Sequence, residues 1–204
     1  MRKIVLLCLI SLMLLPATIG ARDVFEIGVG VTGLYSPGGL TDAEDFFQGM
    51  GDGDRWTIGA MLNTRLSIVN FSLLAMVPTA AAEEQEEVFE LRSTLFFDIP
   101  LVTNRLYLNL GAGLSTSFSY DEEETMLING ESAESITFDS MITSSQIHMK
   151  FGLDVLFGSA KLGIFYLLET PATLAGLMDS GAWSQLVESK GTDRLGIMLQ
   201  LALF

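Results

Sequence analysis

From about residue 24 to the end of the chain, apolar and polar residues alternate with a period of two. The alternation is clearest over Phe25–Val31, Trp56–Leu62 and Leu195–Leu201, where no charged residue occupies an apolar position. Successive side chains of a β-strand point to opposite faces of the sheet, so this period predicts strands with one apolar face. The predicted strands lie at about 24–35, 55–68, 71–79, 88–100, 105–120, 143–157, 160–170 and 193–204.

The connections between the predicted strands alternate between short and long. Tight turns are predicted at Val69-Asn70, at Leu101–Asn104 and at Gly158-Ser159. Long or polar loops are predicted over 36–54, 80–87, 121–142 and 171–192. Most of the strands are long enough to cross a hydrocarbon layer at a tilt, and this loop asymmetry is typical of outer-membrane barrels. We therefore expect an all-β fold, an eight-stranded antiparallel up-and-down transmembrane β-barrel, with its N-terminus in the periplasm and its long loops outside.

Charged residues are distributed differently in the loops and in the strands. Most of the 25 Asp and Glu residues lie in the long loops. The strands carry a nearly balanced set of acidic and basic residues. These residues occupy the same alternate positions as the strand glycines, called the same parity below: Glu26, Glu90, Asp98, Asp154, Glu169, Arg55, Arg65, Arg92, Lys150, Lys161 and Arg194. Inside a narrow barrel these charges must pair, because an isolated buried charge is costly. The formal net charge of −14 argues against a nucleic-acid partner.

The first 21 residues have the order of a secretory signal peptide. Arg2 and Lys3 precede an apolar run over 4–15, and small residues follow up to Ala21. The run is too short to cross a bilayer as a helix. We therefore expect a signal peptide over 1–21 and one outer-membrane barrel domain over 22–204. The only cysteine, Cys8, lies in this leader, so the mature domain would have no disulfide and no thiol ligand.

A soluble barrel of the lipocalin type would show the same alternation with its apolar face inside. Three features favour the membrane instead. The polar face is rich in glycine, which suits a crowded interior better than a solvated surface. The chain ends in the aromatic residue Phe204. Aromatic residues on the apolar face lie near strand ends, as in interfacial girdles: Tyr35, Trp56, Phe71, Phe118, Tyr120, Phe157 and Tyr166.

With this strand number, loop asymmetry and terminal aromatic residue, the chain resembles the small eight-stranded outer-membrane barrels of the OmpA-transmembrane, OmpX and OmpW-like group. The resemblance covers nearly all of residues 24–204. It implies a location in a bacterial outer membrane, contact with outer-membrane lipid, and insertion by the barrel-assembly machinery with Phe204 as assembly signal. Phe204 departs from the pattern of that group because it shares parity with Met198 and Gln200 rather than with the apolar positions of the last strand.

Two sequence motifs suggest chemistry that the pattern does not favour. Residues Gly28–Gly33 read G-x-G-x-x-G, but a dinucleotide fingerprint needs its glycines to open a helix, and these lie within a strand. His148 is the only histidine, and Ser115 and Asp154 are its candidate partners for a Ser-His-acid constellation. No spacing favours that constellation, so we interpret His148 as a hydrogen-bonded part of the barrel filling, and we expect neither enzymatic activity nor a cofactor.

Acidic stretches in the loops are candidates for weak binding of Ca²⁺ or Mg²⁺. Asp52-Gly53-Asp54 and Asp121–Glu124 offer carboxylate oxygens, which these ions prefer. Neither stretch matches a twelve-residue EF-hand loop. We interpret both as solvated acidic loops and predict no metal site.

The predicted lining of the lumen combines ionic and apolar residues. They are Met61, Arg65, Met76, Arg92, Phe96, His148, Lys150, Asp154, Phe165, Glu169 and Met198. Side chains largely fill the interior of an eight-stranded barrel, so we expect no open aqueous pore. Two interpretations of the apolar set remain open: it plugs the lumen, or it forms a dry throat for a small hydrophobic solute, as the resemblance to OmpW-like barrels implies.

We expect a monomer that acts without catalysis, and two functions are open. The first is a narrow channel for a small, apolar solute. The second is a surface protein whose acidic loops contact host or matrix molecules around a plugged lumen. In the fourth long loop, Ser180 is predicted to cap a short helix that presents Trp183, Leu186 and Val187 as a contact site or as a lid over the barrel.

Overall fold

The computed structural model of this 204-residue chain describes residues 25–37, 43–78, 87–102, 105–121, 125–178 and 182–203. These ranges contain most of each of the eight predicted strands. The predicted signal peptide over 1–21 and the proposed assembly signal Phe204 lie outside the described residues.

Eight long strands within the described residues form a closed ring. They are β1 (Phe25–Tyr35), β2 (Trp56–Leu66), β3 (Val69–Pro78), β4 (Glu87–Val102), β5 (Leu106–Tyr120), β8 (Gln146–Phe157), β9 (Ala160–Thr173) and β10 (Arg194–Ala202). Each pairs antiparallel with the next, and β10 closes the ring on β1 through pairs such as Val31 with Leu199. Closure removes the free sheet edges that would otherwise be exposed. The predicted eight-stranded up-and-down barrel is confirmed.

The long loops contain short elements of their own. Strands β6 (Met126–Ile128) and β7 (Glu131–Ser132) form a small hairpin that extends β5 beyond the ring. The helices are α1 (Ala43–Gly49), α2 (Phe138–Ser144) and α3 (Leu174–Met178), and 3-10 turns cover Gly53–Arg55 and Ala182–Val187. No helix of the described chain combines the length and the apolar character that a membrane crossing requires. The strand ends that lead into the long loops lie at one end of the ring, called the loop end below, and the described tight turns lie at the other end, called the turn end.

The turn between β2 and β3 was predicted wrongly at Val69-Asn70. It lies at Ser67-Ile68, since Leu66 pairs directly with Val69. Ser67 adopts a φ of 62°, which a tight hairpin turn requires and which the sequence does not signal with a glycine. Asn70, which the prediction placed in the turn, is instead a buried strand residue opposite Arg65.

The ends of several further strands differ from the sequence-based expectation. Strand β4 continues to Val102, so Leu101 and Val102 of the turn predicted at Leu101–Asn104 are strand residues. Strand β8 begins at Gln146 rather than at 143, because residues Phe138–Ser144 form α2, capped by Thr137. Strand β9 continues to Thr173 through Pro171, beyond the predicted end at 170. In the fourth loop a 3-10 turn forms over Ala182–Val187, with Trp183 and Val187 exposed; the proposed cap, Ser180, lies outside the described residues.

Apolar side chains cover the outside of the ring. Exposed outward residues include Val31, Leu62, Leu95, Ile164 and Leu199. A continuous apolar band on this scale is unsuited to water and suits lipid tails. Aromatic residues border the band, with Trp56 and Tyr166 towards the loop end and Phe71 and Phe157 towards the turn end.

Tyr35 is an exception among the aromatic residues predicted for the outer girdle. It is 0% exposed because α1 folds over the outer face of the barrel at this point. Its ring lies 5.3 Å from the ring of Phe46, edge to face, and 5.4 Å from that of Trp56. The Tyr35 hydroxyl donates to the backbone oxygen of Phe46, and Trp56 Nε1 donates to that of Met50. The first long loop is therefore attached to the barrel wall by aromatic packing.

Candidate functional site

The residues predicted to line the lumen all carry buried side chains on the inward parity of the strands. They are Met61, Arg65, Met76, Arg92, Phe96, His148, Lys150, Asp154, Phe165, Glu169 and Met198. The ring brings most of them together, because strands on opposite walls of so narrow a barrel place their side chains in contact. Their arrangement divides the interior into an outer ionic layer, a middle layer and an inner ionic layer.

The outer ionic layer is a cluster of two guanidinium and two carboxylate groups near the loop end. Arg92 Nη2 lies 2.7 Å from Glu90 Oε1 and 2.6 Å from Glu169 Oε1. Arg194 Nη1 lies 3.0 Å from Glu90 Oε2, and Arg194 Nε lies 3.8 Å from Glu169 Oε1. Glu90 and Arg92 belong to β4, whereas Glu169 and Arg194 belong to β9 and β10. This outer tetrad therefore joins opposite walls of the barrel across the lumen, and its formal charges cancel.

The inner ionic layer lies nearer the turn end. Lys161 Nζ lies 3.4 Å from Asp98 Oδ2 and 3.6 Å from Asp154 Oδ2. Asn109 Nδ2 donates to the other oxygen of Asp98 at 2.6 Å. Asp154, nominated from the sequence as a partner of His148, thus belongs to a different layer. Close to the turn end a further pair joins neighbouring strands, with Arg65 Nη2 at 2.7 Å from Glu26 Oε2.

His148 lies between two hydroxyl groups and is fully buried. Its Nε2 is 2.9 Å from Thr94 Oγ1, and its Nδ1 is 2.8 Å from Ser115 Oγ. A Ser-His-acid constellation needs a carboxylate to orient the ring through Nδ1, and here Ser115 occupies that position. A neutral imidazole satisfies both hydroxyls, since one ring nitrogen donates and the other accepts. The arrangement suits structural filling of the barrel.

The middle layer contains apolar side chains around a buried lysine. Lys150 Nζ lies 4.2 Å from the centre of the Phe96 ring and 4.7 Å from that of Phe165, so two aromatic faces stabilise the ammonium. Buried apolar residues of the lumen form one cluster: Leu34, Met61, Leu74, Met76, Phe165, Leu167 and Met198. The void between Arg92, His148 and Lys150 measures about 10 Å³, which is room for about one water molecule.

The inward-facing glycines of the described strands leave no free passage beside this layer. A β-carbon built on seven of them would come closer than a normal contact distance to a side chain of the barrel interior, in several cases to a neighbouring backbone oxygen as well, and one built on Gly30 would meet the backbone of Leu199 and Gln200. The pairs are Gly28 with Gln200, Gly59 with Met76, Gly111 with Phe96, Gly113 with His148, Gly152 with Phe165, Gly163 with Met198 and Gly196 with Phe165. The glycines at inward positions therefore allow the side chains that fill the lumen to pack closely.

A larger cavity of about 240 Å³ opens above the outer tetrad at the loop end. Strands β4, β5, β8, β9 and β10 form its lower wall, and the third and fourth long loops form its upper wall. All ten lining residues are polar: Glu90, Ser115, Ser117, Asn129, Ser144, Gln146, Glu169, Lys190, Thr192 and Arg194. Glu169 is the one member of the set predicted to line the lumen that also lines this cavity. This cavity is called the outer cavity below.

Hydrogen bonds hold the loop residues of the outer cavity in place. Asn129, with a φ of 52°, accepts from the backbone N–H of Ser117 at 3.0 Å and donates to Ser144 Oγ at 2.9 Å. In the fourth loop, Asp193 accepts from the Tyr166 hydroxyl at 2.6 Å and from the backbone N–H of Glu169 at 3.0 Å. The sequence alone does not reveal these loop residues as a site, because none of them belongs to a recognisable motif.

The acidic stretches considered for divalent ions are engaged in local structure. Asp52 caps the 3-10 turn by accepting from the backbone N–H of Asp54, and it lies 3.5 Å from Arg55. Asp121 accepts from the backbone N–H of Thr125 at 2.8 Å. Within the described ranges, no three His, Cys, Asp or Glu side chains converge as metal ligands would; residues 122–124 lie outside them.

Comparison with solved structures shows what the fold is similar to. The N-terminal β-barrel domain of Pseudomonas aeruginosa OprF aligns with a TM-score of 0.53 over 87% of this chain and 97% of that domain, at 9% sequence identity. Neisserial surface protein A (NspA) aligns with a TM-score of 0.46 over 89% of this chain and 99% of that one, also at 9% identity. No protein-family model matches the sequence, and no curated protein is similar enough to indicate a relationship. The likeness to OprF confirms the predicted fold, that of the small outer-membrane β-barrels.

Proposed function

We propose that this protein is a non-enzymatic, integral outer-membrane β-barrel protein that displays its loops on the cell surface to bind an external partner. The barrel contacts outer-membrane lipid, and the barrel-assembly machinery inserts it after removal of residues 1–21. The apolar band on the outer face of the ring supports the membrane location, since exposed Val, Leu and Ile side chains surround the barrel. The fold shared with the OprF domain is consistent with it.

The closed lumen is the observation that favours surface binding over transport. The outer tetrad bridges opposite walls, the void between Arg92, His148 and Lys150 measures about 10 Å³, and side chains of the interior pack against most of the inward-facing glycines. A small hydrophobic solute would have to displace Phe96, Phe165 and the paired charges. The loops, by contrast, present exposed apolar side chains, including Phe138, Trp183 and Val187. Exposed residues of this kind often mark contact sites.

Transport is tested by flux through the purified, refolded protein. Planar-bilayer conductance and liposome uptake of a hydrophobic solute such as indole are measured at equal protein density. We expect no conductance steps and no uptake above protein-free liposomes. Reproducible flux would overturn the plugged-lumen part of the proposal and restore the narrow channel as the leading function.

Surface binding is tested on intact cells that display the protein. One variant lacks residues 126–143, and a matched variant keeps the loop but carries Glu131→Gln, Glu134→Gln and Asp139→Asn. Adhesion to immobilised mucin and to extracellular-matrix proteins is compared with that of the unaltered chain. We expect the deletion to abolish adhesion and the charge-neutral variant to weaken it, with heat-modifiable gel mobility unchanged in both. Adhesion that persists after removal of this segment and of 182–192 would contradict the proposal.

A further inference from the structure

The outer cavity has a chemistry that is unusual for a ligand site. Most small-molecule pockets are lined predominantly by apolar and aromatic side chains with a few polar groups. Here every lining residue is polar. The cavity has a closed floor, the outer tetrad, and walls contributed by two loops that are fixed by Asn129 and Asp193. An apolar ligand would gain nothing from such a lining, whereas a strongly hydrated ligand could exchange its water contacts for protein contacts.

Several lining side chains offer hydrogen bonds that the protein itself does not use. Within the described chain, the side chains of Ser117, Gln146, Lys190 and Thr192 make no hydrogen bond or ion pair with another residue. They provide two hydroxyl groups, an amide and an ammonium group around one cavity. Hydroxyl and amide groups both donate and accept, so the lining suits a ligand that presents donors and acceptors side by side.

The charges of the lining select against an ionic ligand. Glu90 and Glu169 balance Arg194 and Lys190, so the lining carries no net formal charge. The surrounding protein carries a net charge of −14, which repels anions from the mouth. A neutral ligand needs no opposite net charge in the lining and is not repelled at the mouth. Carboxylate and guanidinium groups both form hydrogen bonds with neutral hydroxyls.

The volume limits the ligand to a compact molecule. About 240 Å³ lies just below the range of roughly 300–1,000 Å³ that is usual for small-ligand sites. A single sugar ring is a ligand of suitable size for it.

We propose that the outer cavity binds one neutral, multiply hydroxylated ring of monosaccharide size. The ring lies on the carboxylates of Glu90 and Glu169, which accept from its hydroxyls, and Lys190 and Arg194 donate to its oxygens. This inference deepens the proposed surface function and rests on it for the ligand's origin, since the sugar can be a free solute or the terminal unit of a surface glycan. Binding to the cavity itself depends only on the geometry above.

The experiment titrates the refolded mature protein in detergent micelles with D-glucose, D-galactose, D-mannose and N-acetyl-D-glucosamine, followed by saturation-transfer NMR. We expect at least one of these sugars to bind with a Kd of about 1 mM. Ser117→Leu fills the cavity and should weaken binding at least tenfold, whereas Ser184→Leu, an exposed matched control, should leave it unchanged. Thr192→Val removes one hydroxyl at nearly constant shape and should weaken binding several-fold.

Three outcomes would overturn the inference: none of the four sugars binds, Ser117→Leu and Thr192→Val bind as the unaltered chain does, or D-glucuronate binds more tightly than D-glucose.

Inhibition of cell adhesion by the free sugar would identify a surface glycan as the source of the bound sugar, and binding without inhibition would identify a free solute. Adhesion that depends on the loops while no sugar binds would reject this inference alone. Sugar binding without adhesion would reject the proposed surface function alone.

Discussion

Arg92 on β4 and Glu169 on β9 approach to 2.6 Å across the lumen, although their strands are not neighbours in the sheet. Both side chains are buried, and Arg92 also contacts Glu90 at 2.7 Å. Removal of a buried charge leaves its partners uncompensated in a medium that solvates them poorly. The pair therefore ties opposite walls of the barrel together and closes it below the outer cavity.

Substitution of this guanidinium should destabilise the barrel strongly. We expect Arg92→Met to lower the free energy of unfolding by about 3–5 kcal/mol, because Glu90 and Glu169 then share only Arg194. The measurement is urea unfolding in lipid vesicles. Arg55→Met is the control, since the Arg55–Asp52 pair is partly exposed and should be worth about 0–1 kcal/mol. Equal effects of the two substitutions would contradict this view of the outer tetrad.

The close approach of Phe165 to Gly196 predicts that a smaller side chain at 165 relieves the effect of a larger one at 196. A β-carbon at Gly196 would meet three ring atoms of Phe165 and no nearer backbone atom. Gly196→Ala should therefore cost about 1–3 kcal/mol by overpacking. Phe165→Leu should recover much of this loss in the double variant, giving a favourable coupling energy of at least about 0.5 kcal/mol in a double-mutant cycle. Additive effects would show that Gly196 is required for another reason.

The lipid-facing assignment of the outer face can be tested with one charge. Ile164 lies on the outward face of β9 and is 54% exposed. We expect Ile164→Arg to cost about 2–4 kcal/mol in vesicles, because an arginine in the hydrocarbon layer is poorly solvated. Val187→Arg, in the fourth loop, should change stability by less than about 0.5 kcal/mol. A neutral effect of Ile164→Arg would show that water, not lipid, contacts this face.

Asp193 should control the order of the fourth loop without controlling the barrel. Its carboxylate accepts from Tyr166, from Ser189 and from the backbone N–H of Glu169. We expect Asp193→Ala to speed tryptic cleavage after Lys190 and hydrogen exchange over 182–192. Asp139→Ala, in α2, is the control and should leave both rates unchanged. If Asp193→Ala cleaves no faster than the unaltered chain, other contacts fix this loop.

The alternation of residues, together with the lengths of the connections, determined the strands, their faces and their up-and-down order. Parity is a local property, because each strand residue points opposite to its neighbours whatever the strand packs against. For that reason, inward residues such as Met61, Lys150 and Glu169 could be named from the sequence. The turn at Ser67-Ile68 could not, since nothing in the residue types marks the positive φ of Ser67.

Only the tertiary structure decided which inward residues meet. Partners across the lumen, such as Arg92 with Glu169 or Thr94 with His148, depend on how the ring closes and staggers its strands, and no local pattern encodes that stagger. The outer cavity depends further on two loops fixed by Asn129 and Asp193. The sequence thus determined what faces inward, because side-chain direction is set within each strand. Ring closure and loop docking decided that the interior is closed and its mouth concave, because both arise from contacts between distant segments.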